Sequence, residues 1–369
     1  MDRPGRVERL VEALGGAGLD WLIVGDLVTP ADSGREAGAP VFWLTGFGGS
    51  SGLVALSADG KRRFVTDFRY AGRIESLRGD GWEVEIAGAD PLGAVAEGMA
   101  GQIGFDPERT SVSNHERLVE VIGSAGQLVA ASSLIATERR CKDRDEIAAI
   151  AAAAELADAV LAELEAGPLV GRSEAEVALW IELRIRQLGA SGPSFSPIVA
   201  AGPNGALPHA APSARPIEAG ELVVVDLGAV VDGYCSDCTR TYAAGRRPAE
   251  PAEAAYAAVL AAQVAALGAL SPGLECRAAD AVARDLLNQR GFGEEFGHGL
   301  GHGVGVEIHE PPRLSARSKQ TLAVGDVVTV EPGVYLPGEF GIRIEDLVLL
   351  ADDGVQNFCA RSKELLVCR

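Results

Sequence analysis

Four carboxylates in or beside apolar runs are the first residues in this sequence that could do chemistry. Asp226 ends the run ELVVVD, and Asp237 follows beyond a short Asp-Gly stretch. Glu331 ends the run DVVTVE, and Glu345 lies within GIRIED. A carboxylate in such surroundings is costly to bury unless it is paired or bound to a cation. An ion pair or a strand end would explain any single case, whereas the four together favour a shared cation site.

Histidine is concentrated in the Gly-rich segment FGHGLGHGVGVEIHE. This segment holds three of the five histidines of the chain, His298, His302 and His309. Histidine is the commonest metal ligand, and glycine permits close approach of the backbone. If residues 303–309 are extended, His309 shares a face with glycines that leave open space above the strand. A Gly-rich turn with incidental histidines is the alternative interpretation. The Gly-rich patterns of nucleotide-binding loops are not matched here.

The spacing of the first two carboxylates suggests how they meet. The stretch ELVVVDLGAVVDGYCSDCTRTYAAG predicts a β-hairpin with its turn at Asp232-Gly233. Such a hairpin could place Asp226 and Asp237 side by side, about 5 Å apart. Like charges this close require a cation between them. Four carboxylates balance the charge of two divalent cations, and a set with one neutral imidazole suits Mn²⁺, Co²⁺ or Zn²⁺.

The other candidate residues are two cysteines and two histidines. Cys235 and Cys238 have C-x-x-C spacing, but positions three apart on a strand face opposite sides, so we interpret both as small packing residues. His115, in SNHERLVE, is expected on a helix surface without a role. His209, in the loop AAGPNGALPHA, precedes the first carboxylate strand and could reach over a site.

The elements that position these residues divide the chain in two. Short strands, including those expected in VFWLTGFGGSSGLVALSADGKRRFVTDFRY, alternate with helices and predict a compact α/β domain over residues 1–135. Residues 140–369 predict an α+β domain with helices around antiparallel strands. The elements expected in this second part are helices over 143–165, 173–188, 252–269 and 276–290, and strands over DVVTVEPGVY and GIRIEDLVLL.

Composition restricts the partners. The chain has 369 residues and a formal net charge of −19, so phosphate would repel it, and we expect neither nucleic acid nor a membrane as partner. The longest apolar runs, such as VLAAQVAALGAL, are too short to span a bilayer, and MDRPGRVERLVEALGG lacks the apolar region of a signal peptide. Six scattered cysteines favour a reducing compartment. These features predict a cytoplasmic protein.

Five separated segments resemble the pita-bread metallopeptidases (the M24 or creatinase family), which include methionine aminopeptidase, aminopeptidase P and prolidase. In chain order they are IVAAGPNGALPH, VVDLGAVVDGYCSDCTRT, HGLGHGVGVEIHE, VTVEPGVY and GIRIED. In addition, LTGFGGSSG followed by FVTDFRY is similar to bacterial Xaa-Pro peptidases. The resemblance implies an N-terminal α/β creatinase-like domain over residues 1–135 and a catalytic pita-bread domain over 140–369.

The resemblance also implies a ligand set. Carried over by position, the five metal ligands of the family fall on Asp226, Asp237, His302, Glu331 and Glu345. They would hold two divalent ions, with Mn²⁺ favoured and Co²⁺ or Zn²⁺ as alternatives. A water bridging the ions would attack the scissile amide. Glu331 would also shuttle the proton.

Substrate-handling residues follow from the same resemblance. His309 and His209 would donate hydrogen bonds to the carbonyl and the developing oxyanion, and His298 would line the pocket for the residue after the scissile bond. Tyr335 also fits the family pattern. Arg313, in HEPPRLS, matches an arginine that can hold the free carboxylate of a dipeptide, with a plain surface arginine as the alternative.

These correspondences imply an exopeptidase acting on short peptides with proline at the second position. An Xaa-Pro dipeptidase is slightly favoured, and an aminopeptidase P-like enzyme acting on longer peptides is the alternative. A non-catalytic pita-bread binding module is a third possibility, which the intact ligand set disfavours. The branch with this N-terminal domain implies a homodimer.

Overall fold

The computed structural model describes residues 1–28 and 38–369, with the backbone alone for Ser133. It divides into two compact units, Met1–Arg139 and Arg140–Arg369. The residues singled out above for chemistry lie in the second unit, apart from His115.

The first unit is built around one mixed sheet of six strands in the order β4-β3-β2-β1-β5-β6. The central strand β1 pairs antiparallel with β2 and parallel with β5. The strands are β1 Trp21–Val24, β2 Leu53–Ser57, β3 Arg62–Thr66, β4 Glu83–Ile86, β5 Gly101–Phe105 and β6 Gly126–Ala130. The helices are α1 Arg3–Gly16, α2 Ala39–Thr45, α3 Glu75–Gly79, α4 Pro91–Ala96, α5 Val112–Ile122 and α6 Ser132–Arg140.

The expectation of a strand over VFWLT is wrong, because this segment forms helix α2. Pro40 stands in the first turn, where its missing N–H costs nothing, and Gly46 ends the helix with a φ of 72°. Between them Val41, Trp43 and Leu44 are all buried. A short apolar run that is buried on most sides has no periodicity by which sequence could distinguish helix from strand.

The helices of the second unit follow the predicted pattern. The longest, α7, begins with a capping box in which Asp143 accepts from the N–H of Glu146, and the Glu146 side chain accepts in return from the N–H of Asp143. The helices are α7 Arg144–Ala166, α8 Glu174–Gln187, α9 Glu250–Ala269 and α10 Cys276–Gln289.

Four sheets complete the second unit, and the candidate site residues lie where they meet. Their strand orders are β11-β10-β7, β20-β12-β9-β8, β14-β13-β15-β18-β19 and β16-β17. The strands are β7 Gly192–Pro193, β8 Ile198–Ala201, β9 Leu222–Leu227, β10 Ala229–Val231, β11 Tyr234–Cys235, β12 Cys238–Ala244, β13 Gly301–Gly303, β14 Glu310–Leu314, β15 Val327–Val330, β16 Gly333–Leu336, β17 Phe340–Arg343, β18 Asp346–Ala351, β19 Gly354–Asn357 and β20 Val367–Cys368.

The hairpin turn is confirmed, but the expected pairing of its carboxylates is wrong. Asp232 and Gly233 have φ angles of 50° and 81°, as a two-residue turn requires. That turn fixes the register, so Asp226 of β9 lies opposite Thr239 of β12. Asp237 is two residues closer to the turn, between β11 and β12. The two carboxylates are therefore diagonal neighbours.

The two C-terminal apolar runs are each broken into two strands that belong to different sheets. DVVTVEPGVY forms β15 and β16, and GIRIEDLVLL forms β17 and β18. Pro332 has no N–H to donate to a ladder, which explains the first break. Glu331 and Glu345 lie at these breaks, so neither is inside a strand. The expectation that Glu345 lies within a strand is therefore wrong.

Helix α9 is the one described helix that is long and apolar enough to cross a membrane by length and composition. It is longer than the apolar runs that we considered too short. Its Ala255, Val259 and Ala262 belong to the core of the second unit, together with Leu287 of α10 and Val328 of β15. Core helices of soluble proteins have the same length and composition.

This core supplies a test of the packing. Leu287 is 0% exposed, and Leu287→Ala should lower the free energy of unfolding by about 2–5 kcal/mol because it leaves a cavity. Leu179→Ala is the matched control, since Leu179 is 57% exposed on α8 and should change stability by less than about 0.5 kcal/mol. Urea unfolding followed by circular dichroism compares the two, and equal losses would contradict the packing described.

Candidate metal centre

A cavity of about 630 Å³ in the second unit collects the predicted site residues. All five predicted ligands line it, together with four of the five predicted substrate-handling residues. The predicted residues at its wall are Asp226, Asp237, His302, Glu331, Glu345, His209, His298, His309 and Arg313. Tyr335 is not among the lining residues but hydrogen-bonds to His298. Segments that are more than 130 residues apart in sequence thus meet in one place.

His302 lies at the centre of the acidic cluster. Its Nε2 is 3.6 Å from Asp237 Oδ2 and 3.3 Å from Glu331 Oε1. Its Nδ1 is 3.1 Å from the carbonyl oxygen of Gly303, which is placed to accept a hydrogen bond from Nδ1–H. With the proton on Nδ1, the Nε2 lone pair faces the two carboxylates. A cation between Nε2 and these oxygens, either a proton or a metal ion, is then required.

The ligand atoms of Asp237, His302 and Glu345 all lie within 4.8 Å of one another, and the three residues are buried. Burial raises the pKa of Asp237 well above its usual value, and the neighbouring Glu345 carboxylate raises it further. Burial and the Glu331 carboxylate likewise raise the pKa of Glu345. Glu331 differs: burial raises its pKa too, but the hydrogen bond with His302 and the charges of His302, His298 and Arg343 together outweigh burial and lower the pKa to about 2. These carboxylates therefore repel one another when ionised, and a divalent cation between them would relieve that repulsion.

Asp226 provides a separate indication that the site is built for a cation. Its Oδ2 accepts a hydrogen bond of 2.6 Å from Arg343, whereas its buried Oδ1 has no hydrogen-bond partner. Burial raises the pKa of Asp226 although Arg343 opposes the shift. Buried carboxylate oxygens are seldom left without a partner. An open oxygen beside the cluster, in a set of carboxylates and one imidazole, fits a hard or borderline divalent ion.

Two threonines orient the carboxylates, and the sequence analysis missed both. Thr239 Oγ1 donates to Glu345 Oε2 at 2.7 Å. Thr329 Oγ1 donates to Glu331 Oε1 at 2.9 Å and accepts from the N–H of His302 at 3.0 Å. A signal was present, since Thr329 precedes Glu331 by two residues and so shares its strand face.

Arg343 joins the acidic cluster to the residues around it. In addition to Asp226, its guanidinium donates to the hydroxyls of Tyr335 at 2.8 Å and Thr239 at 3.1 Å, and to the carbonyl of Pro208 at 3.2 Å. The Tyr335 hydroxyl is also 3.0 Å from Nε2 of His298. A guanidinium with several donors in fixed directions can hold all these groups at once.

The other three histidines of the second unit line the cavity wall. Burial lowers the pKa of His298, whose Nδ1 is 2.8 Å from the carbonyl of Gly299. The His309 ring lies edge-on to His302 with centroids 4.5 Å apart, and desolvation followed by the charge of His302 lowers its pKa. His209 is exposed at the wall on the loop before β9. All three can approach a molecule in the cavity.

The expected extended conformation over 303–309 is wrong, because the chain bends repeatedly after Gly303. The glycines have a different purpose from clearing space above a strand. A Cβ at Gly301 would lie 2.0 Å from the Thr329 carbonyl, and one at Gly303 would lie 2.3 Å from the Pro311 carbonyl. Glycine therefore admits neighbouring backbone at these positions. His309 reaches the cavity from a bent loop.

Arg313 and the two cysteines complete the set of predicted residues. Arg313 is exposed on β14 at the cavity wall, opposite His302 in the strand register. The buried Cys235 and Cys238 donate from Sγ to different carbonyls, those of Val306 and Glu345. They pack behind separate parts of the site.

Charged side chains outside the cavity hold two of the histidine segments. Arg284 of α10 donates to the carbonyl of His298 and is paired with Asp280 at 2.8 Å. Lys142 and Glu310 form a buried pair at 3.1 Å, and Glu310 also accepts from the N–H of Glu307 in the loop that carries His309. These contacts fix the backbone from which the histidines project.

Comparison with known proteins agrees with this geometry. Residues 148–352 match the model of metallopeptidase family M24, and residues 6–141 match the creatinase/prolidase N-terminal domain. The uncharacterized peptidase YqhT of Bacillus subtilis is 36% identical over 98% of this chain and 99% of its own length.

Solved structures agree as well. An Xaa-Pro dipeptidase from Bacillus anthracis superposes with a TM-score of 0.90 at 35% identity, covering 99% of this chain and 100% of that one. An X-Pro aminopeptidase from Thermotoga maritima superposes with a TM-score of 0.85 at 32% identity, covering 98% and 99%. The family and the fold class expected from the five segments are confirmed: the chain belongs to metallopeptidase family M24 and carries the creatinase/prolidase N-terminal domain.

Proposed function

We propose that this protein is a metal-dependent exopeptidase that hydrolyses Xaa-Pro bonds, with free dipeptides as its preferred substrates. Membership in a metallopeptidase family implies divalent metal ions. The observation that carries the proposal is the buried cluster of Asp237, His302 and Glu345, beside an Asp226 oxygen without a partner, in a cavity that can take a small peptide. Names of similar proteins support the substrate class, since two of them are proline-specific peptidases.

The ligand set of this proposal is Asp226, Asp237, His302, Glu331 and Glu345, which would hold two divalent ions, with Mn²⁺ favoured over Co²⁺ and Zn²⁺. When bound, such ions act as Lewis acids and lower the pKa of water. The first 135 residues would form the creatinase-like domain and residues 140–369 the catalytic domain of a cytoplasmic homodimer.

Within this set Glu331 is the group that would hold and move a proton. Its carboxylate is ionised because its pKa is about 2, and Thr329 fixes one of its oxygens. An ionised, oriented carboxylate at the cavity wall can accept a proton from an attacking water and pass it to the leaving amine.

The histidines and Tyr335 would orient the substrate. His309 and His209 line the cavity, and their N–H groups would donate hydrogen bonds to the carbonyl oxygen as it gains charge. His298 is held by Tyr335, which Arg343 holds in turn, so it presents a fixed wall to the residue after the scissile bond. Arg313, exposed at the same cavity, would bind the terminal carboxylate of a dipeptide.

Metal addition gives a test of the ligand set that does not depend on activity. Adding Mn²⁺ at 100 times its Kd should stabilise the metal-stripped protein by about 2.7 kcal/mol for each ion bound and raise its melting temperature. Asp237→Asn should remove most of this gain. Its metal-free form should melt no lower than the wild type, because one buried repelling charge is gone.

Asp353→Asn, in an exposed turn, is the matched control and should keep the full gain. Equal gains in the Asp237 and Asp353 variants, or no gain in the wild type, would count against this ligand set.

Substrate length is tested with Ala-Pro, carboxyl-amidated Ala-Pro and Ala-Pro-Ala on the Mn²⁺-loaded protein. We expect hydrolysis of Ala-Pro, with weaker hydrolysis of the amide. Arg313→Ala should raise KM for Ala-Pro by about 10–100-fold, the loss expected for a hydrogen bond between charged groups, and leave the amide unaffected.

Arg317→Ala, four residues further on and also exposed, should behave as the wild type. Equal hydrolysis of the amide and the tripeptide, unchanged by Arg313→Ala, would instead establish an aminopeptidase. Absence of metal-dependent hydrolysis of all three peptides would refute the proposed function.

A further inference from the structure

Glu174 lies outside the cavity, at the first position of α8, and is completely buried. Its carboxylate accepts hydrogen bonds from a loop that is distant in sequence. Oε1 accepts from the N–H of Ala201 at 2.8 Å and from Asn204 Nδ2 at 3.1 Å. Oε2 accepts from the N–H of Ser213 at 3.0 Å, from its hydroxyl at 2.6 Å, and from Asn204 Nδ2 at 3.0 Å. Two carboxylate oxygens thus satisfy donors at both ends of the segment 201–213.

This segment carries one wall of the cavity. Residues 208–212, including His209, all line it. We call residues 202–213 the His209 loop. The carboxylate of Glu174 joins the two ends of this loop through its hydrogen bonds to Ala201 and Ser213. The Arg343 guanidinium holds the middle of the loop by donating to the carbonyl of Pro208.

The helix itself does not need this carboxylate. The first turn of α8 is capped by a separate box in which Ser173 accepts from the N–H of Glu176, and the Glu176 side chain accepts from the N–H of Ser173. Glu174 is therefore available for the loop. Burying an ionisable carboxylate is costly unless donors surround it, and here the donors are those of the loop.

We propose that Glu174 is a positioning residue that sets His209 against the carbonyl oxygen of the scissile bond. This inference rests on the proposed function. A donor aimed at the developing oxyanion acts mainly in the transition state, and an error of about 1 Å in placing it can cost about 100-fold in rate. Loosening the loop should therefore lower kcat and change KM little.

The test compares Glu174→Gln with a matched control, Glu176→Gln, which alters an exposed carboxylate on the same helical turn. In Glu174→Gln one acceptor oxygen becomes an NH₂ group that faces the donors of Asn204 or Ser213. We expect kcat for Ala-Pro to fall by about 10-fold with KM within about 3-fold, and Glu176→Gln to match the wild type.

A double variant with His209→Ala distinguishes a loss of positioning from general damage to the fold. His209→Ala alone should lower kcat by about 100-fold, the scale of one lost oxyanion donor. Adding Glu174→Gln to His209→Ala should lower it by less than about 2-fold more, because the loop then has no donor to misplace. Additive losses, or a wild-type kcat in Glu174→Gln, would overturn the inference.

Amide hydrogen exchange supplies a readout that is independent of catalysis. The N–H groups of Ala201 and Ser213 bond directly to Glu174, so Glu174→Gln should accelerate their exchange at least 10-fold while Glu176→Gln leaves it unchanged. Ser213→Ala removes the hydroxyl that donates to Glu174 and accepts from Asn204 and Arg215, but it leaves both backbone donors in place. It should give a smaller effect in the same direction and serves if Glu174→Gln does not fold.

Failure of the proposed function and failure of the role proposed for Glu174 give different results. If the wild type hydrolyses none of the peptides, the proposed function fails. Unchanged exchange at Ala201 and Ser213 in Glu174→Gln overturns the role of Glu174 whatever the activity.

Discussion

The main constraint on the second unit is that it must hold mutually repelling carboxylates around one imidazole. Asp237 and Glu345 are buried within 4.8 Å of His302, Glu331 contacts the same imidazole at 3.3 Å, and an Asp226 oxygen has no partner. Burial alone would favour the protonated forms, and like charges add to that tendency. The rest of the second unit must hold this set together before any cation contributes. A fold selected for stability alone would not retain such a cluster.

Two sets of polar groups hold the cluster together, one in contact with the carboxylates and one farther out. Hydroxyls of Thr239 and Thr329 orient the carboxylates, and the guanidinium of Arg343 compensates part of the charge while tying Asp226 to Tyr335. Farther out, charged groups fix the backbone of the histidine segments: Glu174 at the His209 loop, Asp280 with Arg284 at His298, and Lys142 with Glu310 at His309. The cavity is thus shaped by polar contacts that lie outside it, which explains how His209 and His309 can have defined positions although both are exposed.

Much of this arrangement could be predicted from sequence, for reasons that also explain the errors. The ligand candidates were recognisable because carboxylates in apolar runs and clustered histidines are unusual, and long helices such as α7 were recognisable because they are rich in alanine and other strong helix formers. Pro332 marks the break after Glu331 in the sequence itself, since proline has no N–H for a ladder. The break at Glu345 was not recognisable, because which strand pairs with which sheet is decided by contacts distant in sequence. The same holds for Glu174, whose position in a capping-box segment gave no sign that its partners lie at residues 201–213. The conformation of residues 303–309 was missed because glycine permits bends that periodicity does not encode.

The most direct test of the central claim is anomalous diffraction from crystals of the protein loaded with Mn²⁺. We expect two anomalous peaks about 3.5–4 Å apart, both next to oxygens of the four carboxylates and one also next to Nε2 of His302. A cluster that shows no anomalous peak in Mn²⁺-saturated crystals, or Mn²⁺ bound only away from Asp226, Asp237 and Glu345, would contradict it.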